Sequence, residues 1–253
     1  ILSPYLFSLY MDELSSRLNK IYAGCKLARR IINHLFYADD LVLFCPSHDG
    51  LQELLKICED YAREHDILFN TKKSVVLIKR SKLLKNASVP KFKLCNEDLT
   101  EVLETKYLGH YITADGKDSY DMSKACGKLY ALGNTLLRKF HMCTEKVKIK
   151  LFMTYCSQFY CAQLWKYNIS DNTYKKISVA YNNVFRFFLG LSRDNLGRPC
   201  SASGMFVNRK VKSFQELMRN QIYNFKCRLA VSTNELVICC LLYTSDAADE
   251  RNS

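Results

Sequence analysis

Three features of this chain predict an α+β unit followed by an all-helical one. Two short runs rich in Ile, Leu, Val and Phe, residues 31–36 and 41–45, flank a pair of aspartates and read as the strands of a hairpin. The stretch LQELLKICEDYA then sets Leu51, Leu54, Leu55, Cys58, Tyr61 and Ala62 on one stripe of an amphipathic helix. Beyond Ala114 and Gly116 the pattern changes to long helical periods, which divides the chain into residues 1–113 and 114–238.

Taken in order, the first helix opens with Ser3 as N-cap and Pro4 at the first helical position, followed by Leu6, Phe7, Tyr10, Met11 and Leu14 at helical spacing. A short loop around Gly24 leads into the hairpin, whose apolar runs read as buried on both faces. Pro46, Ser47, Asp49 and Gly50 stop it and the amphipathic helix follows. SVVLIK and KFKLCN are strand-like, and in TKYLGHYIT the glycine, Gly109, marks a place where another backbone comes close. This order predicts an antiparallel sheet with flanking helices. In the helical part SKACGKLYALGNTLLRKF, TEKVKIKLFMTYCSQFYCAQLW and NTYKKISVAYNNVFRFFLG are the clearest segments, with Phe185, Phe188, Leu189 and Trp165 read as packing residues. Ser213 and Glu216 form a capping box ahead of Leu217, Ile222 and Phe225.

With 253 residues, 48% of them hydrophobic, the chain can bury one good core or two modest ones, which excludes disorder for most of it. A net charge of +12 suits a polyanionic partner, although ribosomal and membrane-surface proteins share that balance. Twelve cysteines are scattered without C-x-x-C, and neither a signal peptide nor a long apolar span is present. Reduced, mostly buried thiols in the cytosol or nucleus, and no membrane, follow from that. Ile1 opens directly on a helix signal, so the chain is read as starting inside a longer protein. CLLYTSDAADE, residues 240–250, resembles the translation of a transposase mosaic-end sequencing adapter, and residues 239–253 are expected to be a disordered tail.

Asp39 and Asp40 sit in a stretch that otherwise reads as buried, where unpaired carboxylates are costly. Two explanations fit the pair taken alone. Turns use Asp for side-chain to backbone hydrogen bonds, and paired carboxylates hold divalent cations against phosphate oxygens. Arg138, Lys139, Lys146, Lys148 and Lys150 similarly fit either a phosphate-tracking surface or an ordinary solvated face. The five histidines show no metal-ligand spacing.

ILSPYLFSLYMDEL, FYADDLVLF, ILFNTKKSVVL and KYLGHYIT occur in this order, and together they resemble the later half of a reverse transcriptase of the non-LTR, LINE-like retrotransposon kind. AYNNVFRFFLGLSRDN and SASGMFVNRKVKSFQELMRNQIYNFKCRL look like the helical segment that follows the polymerase core in such elements, so the resemblance covers residues 1–238. It implies part of a polymerase palm over 1–113 and a thumb and connection over 114–238. Tyr37-Ala38-Asp39-Asp40 matches the catalytic box, in which Asp39 ligates the metals and Asp40 supports the site. Ser3, Pro4, Leu6 and Phe7 match the helix that frames the incoming nucleotide and template. Asn70 and Lys73 match the N-x-x-K box, with the lysine near the triphosphate and Lys72 able to claim that role by a one-residue slip. Tyr107, Leu108 and Gly109 match the hairpin that grips the primer. The implied cofactors are two Mg²⁺ or Mn²⁺ ions, and the implied partners are an RNA template, a DNA primer and deoxynucleoside triphosphates.

One departure bears on activity. The family's other catalytic aspartate, on a strand before the first helix, has no counterpart in these 253 residues, so the chain alone is expected to be inactive while its parent polymerises. Two other readings stand beside this one: a non-catalytic nucleic-acid-binding relic of a retroelement, and a group II intron maturase, which shares the box and the N-x-x-K element.

Overall fold

The computed structural model describes residues 2–27, 30–80, 89–165, 172–191 and 201–249. They form two compact units, Ile1–Val102 with Ser232–Ser253, and Leu103–Val231. The sequence placed the division eleven residues later; the hairpin between residues 104 and 113 falls in the second unit.

In the first unit helix α1, Ser3–Asn19, lies against helix α2, His48–Glu64. Met11, Leu14 and Leu18 pack with Leu54, Cys58 and Tyr61, all buried, and the stripe read from the sequence is the face that α2 buries. Each fully buried leucine contributes about 2 kcal/mol, so this seam holds the unit together. Ser47 caps α2 by accepting the Gly50 N–H at 3.3 Å. Helix α1 starts one residue earlier than predicted: Leu2 occupies the N-cap with no side-chain bond, and Ser3 is already helical.

The strands do not merge into one sheet. They form five two-stranded ladders: β1, Cys25–Leu27, with β2, Arg30–Ile32; β3, His34–Tyr37, with β4, Asp40–Leu43; β5, Val75–Leu77, with β8, Thr100–Val102; β6, Lys93–Leu94, with β7, Glu97–Asp98; and β9, Glu104–Tyr107, with β10, His110–Thr113. The β5–β8 pair is parallel. Local causes keep the strands short. Asn33 turns inward and separates β2 from β3, and Cys95 and Asn96 adopt left-handed φ of 53° and 63°, which ends KFKLCN in a tight turn.

Helix α8, Glu235–Asp249, runs through residues expected to be disordered. Asn234 caps it by accepting the N–H groups of Leu236 and Val237, and Glu235 pairs with Arg30 at 2.7 Å. Three Leu and two Ala in its sequence favour helix whatever their origin. The last four residues of the expected tail lie outside the described ones.

The second unit packs α3, Ser119–Phe140, α4, Glu145–Tyr155, α5, Asn172–Leu189, α6, Ala202–Val207, and α7, Phe214–Ala230, with the β9–β10 hairpin. Phe152, Tyr181, Phe185, Phe206 and Phe214 form its aromatic centre, and Phe188 and Trp165 are buried as expected. A Cβ at Gly133 would lie 2.4 Å from Val184, so only glycine lets α3 and α5 approach this closely. The long helix predicted over residues 144–165 ends at Tyr155, because Phe159 and Trp165 turn into the core and Cys161 holds a left-handed φ of 59°. Ser213 accepts the Glu216 N–H at 3.3 Å, the cap read from the sequence. Among the described residues no helix is long and apolar enough to cross a membrane, and every cysteine is a free thiol; only Cys58 and Cys156 of these are buried, where most were expected to be, because the others fall on strand, loop and outer helix positions that the cores leave open.

Candidate functional site

The β3–β4 hairpin is built on α1. Its strands pair Leu35 with Val42, Phe36 with Leu41 and Tyr37 with Asp40, so Ala38 and Asp39 alone make the turn. Phe36, Leu41 and Leu43 pack onto the α1–α2 seam. Ala38 has a φ of 51°, where glycine is the usual residue of a two-residue hairpin turn. A non-glycine residue held there stores about 1 kcal/mol or more, and such strain persists only where the surroundings over-determine it. Asp39 and Asp40 are both exposed at this tip, and Tyr37 is 63% exposed beside them. The apparent burial of the pair is therefore corrected: the flanking runs are the buried part, and the turn lifts the carboxylates into solvent.

Beneath the hairpin lies a polar chain that the sequence did not disclose. Asn33 is 3% exposed and its amide donates to the Leu18 carbonyl at 2.7 Å, closing one of the open carbonyls at the end of α1. Its side-chain oxygen accepts from His34 Nδ1 at 2.7 Å, and the Ser15 hydroxyl is hydrogen-bonded to His34 Nε2 at 2.8 Å. Burial holds His34 below the usual histidine range. The Asn33 carbonyl also accepts the Phe44 N–H at 2.7 Å. An asparagine inside an apolar run was the available signal, since such a residue must find partners.

Asn70 and Lys73 precede β5 and are both exposed. The Asn70 side chain accepts the Lys73 N–H at 3.1 Å, and the Asn70 carbonyl accepts the N–H groups of Lys73 and Ser74 at 3.0 Å. The N-x-x-K element is thus a closed turn in which the asparagine fixes the backbone that carries the lysine. Phe7 is 38% exposed on the first half of α1, where Tyr5, Leu6 and Leu9 are more exposed still. Ser3 and Pro4 lie in the first turn of that helix; their side chains lie outside the described ones.

Tyr107, Leu108 and Gly109 belong to the second unit. Leu108 and Gly109 have φ of 46° and 85° and form the two-residue turn between β9 and β10. The close neighbour of Gly109 is a ring rather than a backbone: a Cβ there would lie 2.6 Å from Tyr160 Cε1. Arg138, Lys139, Lys146 and Lys150 are exposed and Lys148 half-exposed, on α3 and α4. Among the described residues no group of three His, Cys, Asp or Glu side chains is placed to hold a metal ion.

Residues 1–112, which include the catalytic-box and N-x-x-K segments and all but the last residue of the β9–β10 hairpin, match the family described as reverse transcriptase (RNA-dependent DNA polymerase). The retrovirus-related Pol polyprotein from type-2 retrotransposable element R2DM of Drosophila melanogaster is 33% identical over a match that covers 46% of this chain and 11% of that polyprotein. The chain spans only that small share of its relative. Over residues 1–112 the chain is thus similar to reverse transcriptases, and the relative it matches comes from a retrotransposable element.

Proposed function

We propose that the chain is part of an RNA-directed DNA polymerase that copies retroelement RNA into DNA, with residues 1–113 contributing the later part of its palm and residues 114–238 a helical thumb and connection. The observation that carries this reading is the Tyr37–Asp40 turn: a strained two-residue tip, held on a buried scaffold, that presents two adjacent carboxylates to solvent. A turn that needed Asp only for local hydrogen bonds has no use for a second exposed carboxylate beside it.

Hard oxygen donors of this kind fit divalent cations such as Mg²⁺ or Mn²⁺. When bound, the ions activate the primer 3′ oxygen and stabilise charge on the leaving pyrophosphate. Asp39 would hold them, with Asp40 supporting. Lys73, on the turn that Asn70 fixes, would neutralise phosphate charge on the incoming deoxynucleoside triphosphate. Ser3, Pro4 and Phe7 would face template and nucleotide, and Tyr107, Leu108 and Gly109 the primer strand. Two carboxylates make one corner of a two-ion site, so this chain by itself extends no primer. Its setting is intracellular, in cytoplasm and nucleus, where retroelement RNA and target DNA are found.

The test is RNA-templated primer extension by a polymerase that carries this segment, with Asp39→Asn as the variant. Asparagine keeps the size and removes the charge, so extension should be lost while binding of the primer–template duplex stays within about twofold. Equal extension by the variant would show the box to be structural and favour the non-catalytic relic.

A further inference from the structure

Asp121 is the one charged side chain buried among the described residues, at 7% exposure. A carboxylate in that position is stable only if donors meet it. The Tyr111 backbone N–H donates to Oδ1 at 3.1 Å and the Trp165 indole N–H to Oδ2 at 2.7 Å. His110 Nδ1 lies 3.1 Å from the same Oδ2, off the line of a hydrogen bond, so that contact is an ion pair when the imidazole is protonated. His110 and Tyr111 are the first two residues of β10 and directly follow the Leu108–Gly109 turn. Gly109 presses on the ring of Tyr160, which shares with Trp165 the non-α-helical segment after α4, where Cys161 is left-handed. The hairpin is thereby clamped to one segment at two points: Tyr160 over the tip, and Trp165 on the carboxylate that holds the strand behind the tip.

We propose that Asp121 is a positioning residue that fixes where the Tyr107–Leu108–Gly109 turn meets a nucleic-acid strand, acting through the Tyr111 N–H and the Trp165 indole. The inference rests on the reading of that turn as a strand contact. Its chemistry is specific to a carboxylate, because Asp121 accepts on both oxygens at once. The amide introduced by Asp121→Asn has one oxygen and an NH₂, so whichever way it flips, one N–H donor faces another donor.

Trp165 is the only tryptophan of the chain, so its emission reports this contact directly. The experiment uses the 253-residue chain and a fluorescently labelled duplex of DNA primer and RNA template, with Asp121→Asn, Gly109→Ala and Trp165→Phe as variants. Asp121→Asn should shift the Trp165 emission and weaken duplex binding about tenfold at temperatures well below its unfolding midpoint, the loss expected from one charged hydrogen bond. A role in folding alone would lower the midpoint and leave affinity unchanged. If Asp121→Asn is folded and binds like the wild type while Gly109→Ala binds about tenfold more weakly, the positioning role is overturned and the turn's role stands. If Gly109→Ala also binds like the wild type, the strand contact itself is wrong and the proposal goes with it. Should Asp121→Asn not fold, Trp165→Phe keeps an aromatic ring and removes the N–H; weaker binding with faster hydrogen exchange at Tyr111 supports the proposal, and no change in either overturns it.

Discussion

Replacing Asn33 by leucine tests whether the catalytic-box hairpin is held by buried polar chemistry or by apolar packing alone. The substitution preserves volume, leaves the His34 Nδ1–H without the Asn33 oxygen it meets at 2.7 Å, and takes the Asn33 amide from the Leu18 carbonyl, which keeps the Ile21 N–H at 3.1 Å. An unpaired buried polar group costs about 1–3 kcal/mol and a further lost hydrogen bond about 1 kcal/mol, so together they cost roughly 2–4 kcal/mol. The added apolar burial returns about 1–2 kcal/mol, leaving a net loss of roughly 0–3 kcal/mol. Urea unfolding followed by far-ultraviolet circular dichroism measures the total. Hydrogen exchange at Phe44, whose N–H is bonded to the Asn33 carbonyl at 2.7 Å, measures the local part. A gain in stability, with Phe44 protection unchanged, would refute the argument, because it lies outside that range.

Three further outcomes follow from the same structure. His34 is held below the usual histidine range by burial, so the unfolded chain takes up its proton first; stability should fall as pH drops through about 6.5 and level off once the folded state also protonates, and His34→Asn should flatten that part of the melting-temperature profile. Burial pushes the Cys58 and Cys156 thiols up to about 12, so in the folded chain at neutral pH iodoacetamide should modify exposed Cys25 and Cys227 and spare these two, as peptide mass mapping will show. If the exposed lysines and arginines of α3 and α4 meet phosphates, duplex affinity should fall steeply with salt, from non-specific dissociation constants of roughly 10⁻⁴ to 10⁻⁶ M at physiological ionic strength; salt-independent binding would make them an ordinary solvated face.

Much of this architecture was legible because it is written in periodicity. The stripe from Leu54 to Ala62 buries as its spacing demands, and Ser213 caps α7 as its position before an apolar run demands. A hairpin with its tip at the aspartate pair was legible from the apolar runs on either side, and the turn itself falls one residue earlier, at Ala38 and Asp39. What stayed hidden depends on tertiary contacts or on single backbone angles. Nothing local tells that Cys161 is left-handed, so α4 read as one helix with the segment beyond it. Nothing local tells that Tyr160 lies over Gly109, or that strands of two to four residues stay in separate pairs. The exposure of Asp39 and Asp40 was misread for a related reason: hydrophobic neighbours in sequence are not neighbours in space at a tight turn, where the strands carry the apolar residues inward and the tip points away. Asn33 was passed over as a polar interruption, although its partners include the Leu18 and Ile21 carbonyls, His34 and Phe44.

The most direct test of the central claim is Mn²⁺ titration of the ¹⁵N-labelled chain, read as paramagnetic broadening of backbone amide signals. If the Tyr37–Asp40 turn is a cation-binding corner, the signals of Ala38, Asp39 and Asp40 should broaden first and most, and Asp39→Asn should remove that broadening while leaving the hairpin shifts of Leu35, Phe36 and Leu41 in place. Broadening that is equal at exposed carboxylates elsewhere, such as Asp12 and Asp49, or that survives in Asp39→Asn, would contradict the assignment.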